Sequence, residues 1–129
     1  MYSLLFPDAT IVKTGSKTAE MVKYMTNTFL ATKVSFANEM KMICDELKID
    51  YDKVVEYSTY DERLGKSHWA VPGPDGDFGF GGHCLPKDLS AIINEFKTYG
   101  LLEAVEEVND QVRNDRDWEK MKGRAVIDG

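Results

Sequence analysis

From Ser16 onward, apolar residues recur at steps of mostly three or four. They are Ala19, Val22, Met25, Phe29, Leu30, Val34, Ala37, Met40, Ile43, Cys44 and Leu47. That period belongs to an α-helix. No proline or glycine interrupts residues 16–49, so the pattern predicts a single long helix. Ser16 suits its N-cap, and Glu20 reads as a first-turn carboxylate favoured by the helix dipole. The apolar positions are too broad for one face, which predicts a second long helix against this one. A second copy of the chain could supply it. Asp50 or Asp52 is expected to cap a short helix over 52–59, with Val54, Val55 and Tyr57 inward. Residues 65–82 contain Gly65, Pro72, Gly73, Pro74, Gly76, Gly79, Gly81 and Gly82, which predicts a loop. Trp69, Val71, Phe78 and Phe80 make that loop too apolar for a disordered linker. Pro86 fits the first turn of a helix reaching Tyr99, with Gly100 as its stop. A last helix, 101–115, is expected to bury Leu102, Val105, Val108 and Val112, and the charged stretch 113–122 to be exposed. The expected fold is all-α: a long central helix packed with shorter helices.

The ends read differently. Residues 2–6 and 10–12 are apolar fragments around Pro7-Asp8, and residues 123–129 begin like a buried strand without pairing partners. They are expected to be the edges of a larger protein. The 129 residues suit about one domain, and 43% hydrophobic content allows a core. A net charge of −6 argues against a nucleic-acid partner. No apolar run approaches the ~20 residues of a membrane span, and no basic stretch leads into an apolar core as in a signal peptide. Two cysteines, Cys44 and Cys84, are too few for a disulfide framework, so a cytoplasmic setting is expected.

The candidate chemistry lies in residues 79–88, GFGGHCLPKD. Cys84 falls at or just before a helix N-terminus, a setting that favours a thiolate, and Lys87 adds positive charge. Gly79, Gly81 and Gly82 allow close approach to the backbone or a positive φ. Asp88, four residues after Cys84, shares its side of the helix. A carboxylate opposes thiol ionisation, so Asp88 is better suited to holding a water or orienting Lys87. The plainer alternative for any lone cysteine is a small buried hydrophobe. Cys44, beside Met40, Ile43 and Leu47, reads that way. His68, His83, Cys84 and Asp88 lack the spacing of a zinc site, so no metal is expected. The stretch is neither a Walker loop nor a convincing dinucleotide fingerprint.

GFGGHCLPKD resembles the catalytic-cysteine motif of the UDP-glucose/GDP-mannose dehydrogenase family. Residues 18–31, TAEMVKYMTNTFLA, resemble that family's central helix, and residues 61–65, DERLG, its arginine segment. The resemblance covers about residues 2–115 and implies an NAD-dependent, four-electron oxidation of a nucleotide sugar at C6. It implies that Cys84 attacks the aldehyde intermediate, that Lys23 and Asn27 stabilise the oxyanion, and that Asp88 places the hydrolytic water. Arg63 would contact substrate across a homodimer interface. Phe78, Gly79, Phe80, Gly81 and Gly82 would line the sugar, while Cys84 and Lys87 would approach the NAD. Residues 1–15 would end an NAD-binding domain, 16–115 would form the helical dimerisation domain, and 116–129 would lead to a nucleotide-binding domain. UDP-glucose is the first substrate. GGHC is also similar to the UDP-N-acetylmannosamine branch, and PKD fits GDP-mannose as well. The rival from another class is a helical dimerisation module without chemistry.

Overall fold

A computed structural model of the chain describes residues 16–82, 84–97 and 99–119. The apolar fragments at both ends, and His83, lie outside them. Helix α1 runs Ser16–Leu47, α2 Tyr51–Ser58, α3 Cys84–Glu95 and α4 Leu101–Val112, with a 3₁₀ turn at Glu62–Leu64. There is no strand among the described residues. No helix there is long and apolar enough to cross a membrane.

Helix α1 ends where Lys48 turns left-handed, at φ 57°. The Ile49 N–H then donates back to the Cys44 carbonyl at 2.9 Å, which closes the last turn. Asp50 is the cap of α2, its carboxylate accepting from the Asp52 and Lys53 N–H groups. Because α2 starts one residue before the expected position, Tyr51 is its buried aromatic, donating to the Trp69 carbonyl at 2.6 Å. Tyr57 is instead 58% exposed and lies beside Tyr60.

The other helices also depart from the expected bounds. Helix α3 opens at Cys84, so Pro86 is its third residue, still within the turn whose N–H groups have no helical acceptor. It ends at Glu95 rather than Tyr99. Gly100, at φ 110°, starts α4 instead of stopping α3. Glu20 lies beyond the first turn of α1 and is buried, not a dipole-side surface carboxylate. The charged stretch after α4 is not uniformly exposed either, for Arg113 is buried.

Three core clusters hold the elements, the smallest being Tyr24 of α1 with Ile92 of α3. Ala31 and Val34 of α1 meet Phe80 of the loop, Leu89 of α3 and Val105 of α4. Farther along α1, Ala37 and Cys44 meet Tyr51 and Val71, with Trp69 packed alongside. The loop therefore contributes side chains to two of these clusters, Phe80 to one and Val71 to the other, which anchors 65–82 without secondary structure. Cys44 is a core residue, as its periodic position predicts.

Candidate functional site

Residues 20, 23, 24 and 27 are three and four apart, so they share one flank of α1. That flank meets α3. The Asn27 amide donates to Asp88 Oδ2 at 2.6 Å, joining the two helices. Asp88 is fully buried, and its other oxygen has no hydrogen-bond partner among the described residues. Glu20, 1% exposed, is buried beside the Tyr24 hydroxyl, and neither of its oxygens has a well-aligned hydrogen bond among the described residues. Burial raises the Glu20 carboxyl above its usual range; the nearby Lys23 ammonium and the Tyr24 hydroxyl oppose this, and the Asp88 carboxylate adds to it. Burial also pushes up the Tyr24 hydroxyl, with Asp88 and Glu20 reinforcing it. Lys23 is half-buried, its Nζ 5.3 Å from the centre of the Tyr24 ring.

Cys84 is the first residue of α3 and is exposed. Its thiol stands where the backbone N–H groups of the first turn lack helical acceptors. Asp88 lies one turn on. Its bond to Asn27 engages it with α1, which limits its freedom to swing toward the sulfur. Lys87 is half-buried between them in sequence.

Upstream, the glycine loop is held by side chains from three segments. Asn38 of α1 accepts from the Gly79 N–H at 3.1 Å. Asn109 of α4 accepts from the Phe80 N–H at 2.7 Å and donates to the Phe80 carbonyl at 3.0 Å. Asp117 accepts from the Gly82 N–H at 3.0 and 3.1 Å. Gly79, at φ 70°, could not become alanine, because the new methyl would strike the Asn109 amide. These contacts shape a cavity of about 520 Å³. Gly79, Phe80, Gly81 and Gly82 line it, together with His68, Pro74 and Arg113.

The structure thus brings Asn27 to Asp88, and Gly79 to Gly82 into one cavity wall, with Cys84 between the two groups in sequence. Phe78 is 38% exposed and is not part of the wall. Arg63 stands apart, with its side chain 88% exposed and forked onto Asp61 at 2.6 to 3.2 Å. Within one copy of the chain it serves the 3₁₀ turn. Asn38, Asn109, Arg113, Asp117 and Glu20 were not anticipated. A signal existed for the two asparagines. Each follows a core valine (Val34, Val105) by four residues, so each is a polar side chain at a core-facing position of its helix.

Residues 17–111 match the UDP-glucose/GDP-mannose dehydrogenase family, central domain. The chain belongs to this family. The UDP-glucose 6-dehydrogenase TuaD of Bacillus subtilis is 39% identical over 109 residues, covering 81% of this chain and 23% of that protein. The UDP-glucose 6-dehydrogenase AglM of Haloferax volcanii is 37% identical over 123 residues, 92% of this chain and 27% of that protein. A GDP-mannose 6-dehydrogenase of Azotobacter vinelandii is 44% identical over 86 residues, 66% of this chain and 19% of that protein. The chain spans about a quarter of the length of these curated UDP-glucose/GDP-mannose dehydrogenase relatives. No solved structure gives a significant match.

Proposed function

We propose that this chain is the central part of a cytoplasmic, NAD-dependent nucleotide-sugar 6-dehydrogenase, with UDP-glucose as the substrate. What carries the proposal is the Asn27–Asp88 bond, which joins the helix flank bearing Lys23 to the helix that begins with Cys84. Residues 16–115 form the helical unit between an NAD-binding part and a nucleotide-binding part. The exposed Cys84 and the open space around Gly82 fit the approach of a flat nicotinamide ring. Cys84 and Lys87 would face it. NAD, when bound, would accept a hydride at each of two oxidations.

The chain's own residues then have definite tasks. The Cys84 thiolate attacks the C6 aldehyde; a C–S bond forms and the carbonyl oxygen becomes an oxyanion. Lys23 and Asn27 stabilise that oxyanion by charge and hydrogen bond. Once the carbon has been oxidised, a thioester remains on Cys84. Water, held by Asp88, hydrolyses it, releasing the carboxylate and returning the thiol. The cavity wall from Gly79 to Gly82 holds the sugar, with Phe78 at its edge. Arg63 reaches substrate only from a second copy, because in its own chain it lies outside the cavity.

A second copy also suits α1. Val22, Phe29, Phe36 and Ile43 are seven apart and 49 to 60% exposed, with Met25 and Leu47 beside them. Such a stripe seats another long helix. The 44% identity to a GDP-mannose 6-dehydrogenase keeps GDP-mannose as the second substrate.

The test is NADH formation by the native protein carrying this chain, with UDP-glucose, GDP-mannose and UDP-N-acetylmannosamine offered in turn. Turnover is expected with UDP-glucose, and Cys84→Ser should reduce it by about a hundredfold or more. Full activity in that variant would overturn the role of the thiol. The 129 residues by themselves are expected to form no NADH.

A further inference from the structure

The side chain of Arg113, just beyond α4, is 1% exposed. Nη2 donates to Asp75 at 2.6 Å and Nε to the Asp115 carbonyl at 2.6 Å, while Nη1 reaches the Phe78 carbonyl at 3.4 Å. Asp77 and Asp117 stand 3.4 and 3.5 Å from the same guanidinium. Asp117 in turn accepts from Gly82 through both oxygens. Gly81 lies against the guanidinium so closely that a methyl group there would strike Nη2. One residue past α4 therefore grips the glycine loop before it at Asp75, along it at Phe78 and Gly81, and after it through Asp117.

The charge balance suits a grip on the loop rather than a phosphate site, although Asp75, Arg113 and Asp117 also line the cavity. One guanidinium faces three carboxylates, so the cluster carries excess negative charge and would repel a phosphate. Its donors are already engaged on protein acceptors. A buried cation is costly unless it is paired and hydrogen-bonded, and this one is both. A lysine could keep the charge but not the fork that reaches several acceptors at once.

We propose that Arg113 and Asp117 form a clamp that positions Cys84: together they fix the glycine loop, and so the point at which the chain enters α3. Arg113 is a positioning residue that acts through Phe78, Asp75 and Asp117, and the proposal rests on Cys84 being the nucleophile. Cys84 follows Gly82 by two residues, so little chain separates the grip from the thiol.

The experiment measures iodoacetamide alkylation of Cys84 in the full 129-residue chain, by peptide mass, with Cys44 as internal control. Asp117→Ala and Asp117→Asn remove the same charge, but only asparagine keeps an oxygen for the Gly82 N–H. The alanine variant should change the Cys84 rate by about threefold or more, and the asparagine variant should restore it, since small misplacements of a reacting group have large kinetic effects. Arg113→Lys should shift the rate as the alanine variant does. Helicity by circular dichroism shows which variants are folded. If folded Arg113→Lys and Asp117→Ala both leave the Cys84 rate unchanged, the cluster only adds stability and the proposal is wrong. No step of this test needs turnover, so absence of NADH formation in the native protein would count against the dehydrogenase reading alone.

Discussion

A carboxyl group cannot remain both buried and charged without cost. Glu20 is such a group, and its folded value is raised above 4.5. The raised carboxyl contributes stability that is fully present below pH 4.5 and is lost as pH rises through the folded value. Glu20→Gln cannot ionise. It should match the native chain in acid and exceed it in thermal stability near pH 8. Melting temperatures of both proteins from pH 4 to 9 check this. A variant that is less stable at pH 8 would mean that Glu20 is ionised and paired with Lys23. At the same scale, Cys84 should react with iodoacetamide faster than Cys44 near neutral pH, because one is exposed and the other buried. These residues differ in how far the sequence announced them. The helix start at Cys84, and the shared flank of Lys23 and Asn27, could be read from short motifs and helical spacing. Arg113 could not, because a charge-dense stretch reads as exposed and its main carboxylate partner lies 38 residues away. Glu20 was placed in the wrong turn, and only packing of α3 on α1 reveals its burial.

Among the elements, α1 was the most legible, since 32 residues of unbroken period leave little else to form. The ends of α3 were not, because proline and glycine each fit several positions around a helix terminus. Pro86 stands third rather than first, and Gly100 opens the next helix. The outer stripe of α1 gives the prediction that belongs to this scale. Phe29 is 60% exposed and Ile43 49%, both on the stripe with Val22 and Phe36. Seated against a second copy, each would leave water twice, once per chain. Phe29→Asp should then remove about 3 kcal/mol or more of association, roughly a hundredfold in the dimer constant. Sedimentation across a concentration series measures this, with circular dichroism confirming that α1 persists. A native chain that stays monomeric at the highest concentration would remove the α1 interface from the proposed function.

At the scale of the molecule, opposite pH responses meet in one fold. Asp75 and Asp77 both titrate below 3.8. For Asp75 the Arg113 hydrogen bond is the main cause. For Asp77 burial pulls the other way and is outweighed by hydrogen bonds from the backbone of Asp115, Phe78 and Asn114. Stability from these depressed groups is present above pH 3.8 and is lost as pH falls through their folded values. Asp75 is half exposed, so solvent screens its share, and Asp77, at 12%, should dominate. Asp77→Asn should therefore cost about 1–2 kcal/mol near pH 7. That loss should shrink as pH falls through the lowered value of the native carboxyl. Glu20→Gln should show the reverse dependence, with no effect in acid and a gain toward alkaline pH. Urea unfolding of the native chain and both variants at several pH values separates the two. A pH-independent loss in Asp77→Asn would mean that shape, not charge, holds the loop to the segment after α4. With both limbs present, stability is greatest between the acid release of the loop, through Asp75 and Asp77, and the forced ionisation of Glu20.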